Sequence, residues 1–393
     1  MESIPKQTKG SSNSTDDSDH DETLLPGLPN HLISQLCLAS APPSLLFSVC
    51  HSWRRFLYSP SFPPYFCLYA ILSPSPALHQ QQQQQQASSS SSSTSSNNSI
   101  ELFSLDPISS TWNPLPSPPK DSLDHLLHHH PSFLSRKLPI QSLTVSHNLV
   151  LMAGTGHKFM PALSRPLVFN PESNRWFFGP LFSTPRRWCV TGSVRSTVYL
   201  ASGVGSHYRG DVARSMDQWD MRANSGDWEW ESMAPLKDGR FSREAIEAVG
   251  YKEKLYMVNV KGNAVKEGLV YNVEANQWES MPSGLIAGWN GPAAAMNEEV
   301  MYVVDEVVGA LSEYQSQSDS WRKVIELPEL KHAEQISAGR GRVCVVCANG
   351  EKIVVVDVVA RPAKSWVVHP PSGQQVVSLH ILPRMKITLT PCT

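Results

Sequence analysis

The sequence has 393 residues, too many for one ordinary compact core, so it reads as two or three domains unless a repeated unit lets one domain grow. Its 33 basic and 35 acidic residues leave a net charge of −2, which excludes the overall basic field that nucleic-acid binders use. Seven irregularly spaced cysteines argue against a disulfide framework, and no apolar run resembles a signal peptide or approaches the ~18 to 20 residues of a membrane helix. The expectation is a soluble protein of the cytoplasm or nucleus, with neither nucleic acid nor membrane as partner.

Residues 1–23 carry two lysines against six acids, are rich in serine and poor in apolar side chains, and are expected to be a disordered acidic tail. Residues 24–64 change character. Leu32, Ile33, Leu36 and Cys37 place an apolar stripe on a short helix that Asn30 could cap. Pro42-Pro43 closes that helix and opens a second, Ser44 to Cys50, and a third, Ser52 to Tyr58, carries Trp53, Phe56 and Leu57. Three helices in roughly 40 residues sit at the lower limit for independent folding, so this segment should depend on a partner surface.

A low-complexity stretch, residues 73–99, holds seven consecutive glutamines and a Ser/Thr/Asn run between two strand-like segments, Tyr65 to Leu72 and Ile100 to Leu105, expected to pair as a hairpin. So long a loop is tolerable because closure costs only about 0.6 kcal/mol per doubling of length.

From there a unit recurs: a strand of alternating large side chains, a polar turn, and a short strand at a tryptophan. It is clearest in Gly268 to Pro282, with Leu269, Tyr271 and Val273 before Trp278. It also precedes Trp112, Trp176, Trp228 or Trp230, Trp321 and Trp366, giving six units spaced, with Trp230 as the third, by 43 to 64 residues. Most have four strands; the fourth unit reads Arg243 to Tyr251, Lys254 to Val260, Glu267 to Val273 and Trp278 to Met281. The first unit lacks an opening strand, and Gln375 to Leu382 is spare, so the last strand should complete the first unit and close a ring. The tryptophans are expected to be core residues between neighbouring units, each burying ~150 to 250 Å².

These features resemble two known families. The spacing and the strand–turn–Trp unit resemble kelch repeats, whose period is ~50 residues, although an intact double glycine is replaced by Ala153-Gly154, Ser202-Gly203 and Val258-Asn259. Leu28-Pro29, Cys37-Leu38, Pro42-Pro43, Leu45, and Val49-Cys50-His51-Ser52-Trp53 followed by Leu57 resemble the F-box, with His51 where that family often has Arg or Lys. The pairing is similar to plant F-box/kelch-repeat proteins of the Skp-interacting group. It implies a mostly β fold, a six-bladed propeller over residues 65–393 preceded by a small three-helix F-box. It further implies the substrate-recognition subunit of a Skp–cullin–F-box ubiquitin ligase, with a Skp adaptor, and through it a cullin, as partners. The adaptor-binding residues would be Leu28, Pro29, Ile33, Leu38, Pro43, Leu45, Val49, Trp53 and Leu57.

Chemical motifs are sparse. Cys344 and Cys347 would point to opposite faces of a strand, which disfavours a metal pair; His125 and His128 to His130 fall in a Pro-rich stretch; Gly203-Val-Gly205 and Gly339-Arg-Gly341 read as turns. No catalytic residue, cofactor or metal is expected. A target protein is expected to contact the variable residues 8 to 13 positions after each tryptophan: Arg186, Arg187, Trp188, Arg240, Phe241, Arg243, Trp289, Asn290, His332 and Glu334. Two other readings stay open, a kelch scaffold with no ligase role and a propeller enzyme.

Overall fold

The structure is a computed structural model that describes residues 24–25, 27–29, 31–33, 43–59, 62, 65–75, 100–119, 123, 126–127, 140–223, 225–242, 246–259 and 266–385. It forms two compact units, Met1–Pro63 and Pro64–Thr393.

The first unit is helical. Residues 31–33 are helical, Ile33 closing onto Pro29 O, and two further helices run Pro43–Phe47 and His51–Leu57. The second helix is shorter than expected. Ser48 Oγ donates to Leu45 O at 2.7 Å, and Ser48 and Val49 bond backbone carbonyls three residues back, so the hydroxyl competes with the helical ladder and the chain turns. Ile33, Leu46, Phe56, Leu57 and Phe62 are buried, with Phe56 and Phe62 edge to face at 5.6 Å. Arg54 ties the two longer helices: its Nε donates to Phe47 O at 2.7 Å and its guanidinium lies 4.8 Å from the Phe47 ring. The Asn30 cap and the His128 to His130 run lie outside the described residues.

The second unit is a propeller of six four-stranded antiparallel sheets. Blades two to six run inner to outer in chain order, with inner strands Ile140–Val145, Val190–Val194, Ile246–Tyr251, Ala293–Met296 and Gln335–Gly339. Blade one is the exception. Its inner strand, Gln374–Pro383, comes from the far end of the chain and pairs with Phe66–Pro74 from Phe66↔Pro383 to Pro74↔Gln374. Phe66–Pro74 in turn pairs with Glu101–Asp106, the expected hairpin across the low-complexity stretch. This is the closure that the spare strand implied, and Tyr69 OH donates to Pro383 O at 2.7 Å across it.

Each blade is covered on both faces by its neighbours, which is why middle strands such as Arg342–Cys347 and Lys352–Asp357 are nearly continuous apolar runs. Six buried clusters fill the six blade boundaries. Cys344 and Cys347 belong to different clusters, on opposite sides of blade six. Near the axis the backbones approach so closely that a Cβ on Gly250 would lie 1.9 Å from Ser193 O, so only glycine fits there. The hairpins joining inner to second strands use residues with positive φ, Ser146-His147 and Lys252-Glu253, as two-residue turns that follow the strand twist.

The repeated tryptophans sit on or beside the outer strands, and all but the exposed Trp366 are half-buried rather than enclosed. One ring face meets a residue of the third strand, as in Phe169 with Trp176, Tyr271 with Trp278 and Tyr314 with Trp321 at 5.0 to 5.2 Å between centroids. The indole N–H reaches backward. Trp112, Trp176, Trp230, Trp278 and Trp321 donate to the carbonyls of His369, Pro116, Pro180, Ala234 and Leu285, each on the segment leaving the preceding blade, at 2.8 to 3.2 Å. Among the described residues Trp366 has no such acceptor, and it is 43% exposed. Asn276 and Asp319, two residues before their tryptophans, reinforce the same boundary. Each accepts the tyrosine hydroxyl of its own blade and a backbone N–H of the preceding exit segment at 2.7 to 2.8 Å.

Candidate functional site

Two surfaces hold the residues singled out by sequence. On the helical unit, Ile33 and Leu57 are buried and belong to its core, while Leu28 and Trp53 are half-buried, Trp53 edge to face with Phe56. Pro29 is exposed, and Leu45 and Val49 are 58% and 57% exposed, large apolar side chains left in solvent on a unit with few to spare. Leu38 and the Pro43 side chain lie outside the described residues.

On the propeller, the residues expected to face a target precede the inner strands of blades three to six, so they surround the mouth at which those strands enter the channel. The mouth is common to them, but exposure is not. Arg186 is only 4% exposed: its Nη2 bonds Asp217 Oδ2 at 2.7 Å, and Nη1 reaches Ser215 Oγ and Ser202 O. Phe241 is buried in the core between blades three and four, and Trp289, 0% exposed, in that between blades four and five. These three are packing residues and not exposed anchors. One physical cause accounts for all three: the chain must dive inward here to begin the next blade, and the side chains at the bend plug the gap. Arg243 lies outside the described residues.

The others reach the surface. Arg240 is exposed and pairs with Asp238 and Glu267, which together hold its proton more firmly than usual. Asn290 receives the Lys266 ammonium on its oxygen and donates Nδ2 to Asp305 Oδ2 at 3.1 Å, and burial pulls the Lys266 pKa down. His332 is exposed, with its N–H on Glu306 O; Glu334 is half-buried. Arg187 and Trp188 are half-buried, the guanidinium carbon 4.4 Å from the Trp188 ring centroid. A groove of about 400 Å³ lies beside Arg240, floored by Leu236, Phe241, Leu269 and Met281 with Lys266 and Glu267 at its rim. Asp217, Asp238, Glu267 and Asp305 were missed by sequence reasoning. Asp238 stands two residues before Arg240 in the same loop, whereas Asp217, Glu267 and Asp305 lie in other loops or strands of the same mouth and are brought near only by the pairing of strands.

The channel itself, about 400 Å³, is lined by inner-strand side chains that stitch neighbouring blades. His380, on the closing strand, holds the hydroxyls of Ser142 and Ser378 on Nε2 and of Thr144 on Nδ1 at 3.0 to 3.2 Å, and burial drives its pKa down to about 3. Its ring is neutral and bonded on both nitrogens. Glu247 accepts the Ala293 N–H at 2.8 Å; burial, opposed by that bond and helped by Glu306, pushes its pKa up to about 8. Among the described residues no three His, Cys, Asp or Glu side chains are grouped to hold a metal.

No protein-family model matches the chain. Its sequence is 44% identical over 371 residues, 92% of this chain and 90% of the relative, to F-box/kelch-repeat protein SKIP25 of Arabidopsis thaliana. With six blades closed by the last strand and a short helical unit ahead of them, the chain belongs to the F-box/kelch-repeat proteins.

Proposed function

We propose that this chain is the substrate-recognition subunit of a Skp–cullin–F-box ubiquitin ligase, acting in the cytoplasm or nucleus, and that it is not itself an enzyme. The helical unit takes a Skp-type adaptor, which links it to the cullin, and the propeller holds a target protein. The observation that carries the reading is the exposure of Leu45 and Val49, on and just after one short helix of a unit with a small core, where a partner would cover them. The rate gain in such an assembly comes from holding target lysines near a charged ubiquitin donor, a matter of effective concentration rather than of bond chemistry in this chain.

The test is co-purification of the full-length chain with a Skp-type adaptor, comparing wild type with Leu45→Arg and Val49→Glu. Both side chains face solvent, so both variants should keep the wild-type melting curve while losing adaptor at least about tenfold, the scale of a lost apolar anchor. Failure of the wild type to capture adaptor, or equal capture by all three, would remove the ligase reading.

A further inference from the structure

We propose that Arg187 and Trp188, at the mouth of blade three, anchor an anionic side chain of the recruited protein, a carboxylate or a phosphate; this rests on the reading that the propeller holds a target. The two adjacent arginines are treated oppositely by the fold. Arg186 is neutralised by Asp217 at 2.7 Å. Arg187 has no carboxylate partner among the described residues. Its Nη1 donates to Gly205 O at 2.8 Å, its Nε is enclosed without an acceptor, and its Nη2, which has no acceptor among the described residues, is not enclosed. A guanidinium half withdrawn from water, with one donor orphaned and one facing out, is destabilised until an anion arrives, and burial accordingly weakens its hold on the proton. Planar donors of this kind suit the oxygens of carboxylate and phosphate groups.

The group is also held in place. Arg187 and Val204 exchange backbone hydrogen bonds of 2.9 Å in both directions. Gly203 opposite has φ +98, and a Cβ there would lie 3.0 Å from Arg187 O, so the facing loop needs glycine. Trp188 stands at φ +57, a left-handed conformation that a bulky residue adopts only when its surroundings impose it. The result presents an aromatic face beneath a charged fork. On the segment 202–215, Arg209 is paired with Asp211, and Arg214 is exposed and donates to the Gly210 carbonyl.

The experiment uses purified full-length chain and an oriented peptide library whose fixed central position is Asp, Glu, phosphoserine, Asn, Ala or Lys. Wild type should enrich the acidic or phosphorylated sets by about tenfold over Asn, the scale of one charge-assisted hydrogen bond. Arg187→Gln should abolish that preference, Arg187→Lys should weaken it, and Arg214→Gln should leave it. The ratio of Asp and Glu to phosphoserine separates the two anion sources. No acidic preference in wild type, a preference for Lys, or a preference unchanged in a folded Arg187→Gln protein would overturn the proposal. Adaptor capture, measured on the same samples, reports separately on the ligase reading, so either can fail alone.

Discussion

The two units of this chain solve the same problem in opposite ways. The propeller leaves no blade uncovered: every blade boundary is filled by a buried cluster, and the last strand removes the remaining edge. The helical unit buries Ile33, Leu46, Phe56, Leu57 and Phe62 but leaves Leu45 and Val49 in solvent. The contrast teaches that apolar exposure is a more informative functional signal in a small unit than in a large one. A propeller can bear scattered exposed valines such as Val307, whereas a unit of this size has little apolar surface to leave outside.

The most severe way to break the contrast is to reopen the propeller. Removing residues 372–393 strips the inner strand from blade one and exposes the edge of Phe66–Pro74; the product should be aggregated or melt far below wild type by calorimetry, and an unchanged melting curve would contradict ring closure. Next, Leu255→Ala, at the boundary between blades three and four, should cost about 2 to 5 kcal/mol in denaturant unfolding, whereas Leu45→Ala should change stability by less than about 0.5 kcal/mol.

Glu247 provides a pH-dependent test. Its pKa is about 8 in the fold against an ordinary 4.5, so the folded protein favours the protonated form. Wild type therefore loses stability as pH rises from 4.5 towards about 8, and Glu247→Gln should gain in melting temperature relative to wild type across that interval, with the two converging below it. The smallest effect concerns the indole clasp. Trp278→Phe removes the bond to Ala234 O and should cost about 1 kcal/mol more than Trp366→Phe, whose indole has no acceptor to lose.

Much of the propeller could be read from sequence because its repeating unit is local. In the Tyr271 to Trp278 unit, the alternating strand, the turn and the tryptophan are neighbours in the chain, and the observed strands, Gly268–Asn272 and Gln277–Ser280, fall where the pattern put them. The closing strand was equally plain, since Gln375 to Leu382 had no partner left. What could not be read is which way a loop residue faces. Arg186 and Arg187 look equivalent in sequence, and only Asp217, on another strand of the same blade, decides that the first is buried and the second is not. Trp289 has the composition of a surface anchor and fills a core because the chain turns inward there. The tryptophan clasps were missed for a similar reason: their acceptors are backbone carbonyls, which no side-chain pattern encodes. Only the polar residue two places before the tryptophan, Asn276 or Asp319, hinted that the turn binds something.

Closure by the last strand also sets an order in time. Tyr69 and the Pro383 carbonyl it bonds are 314 residues apart. At ~5 to 20 residues per second, a ribosome needs roughly 15 to 60 seconds to deliver the second after the first. Well before the end of that interval the helical unit has emerged, while the first blade still waits with an open edge. A nascent chain therefore offers its Leu45 and Val49 surface well before its ring is whole, and any product cut short upstream of Gln374 would keep the first capacity without ever acquiring the second.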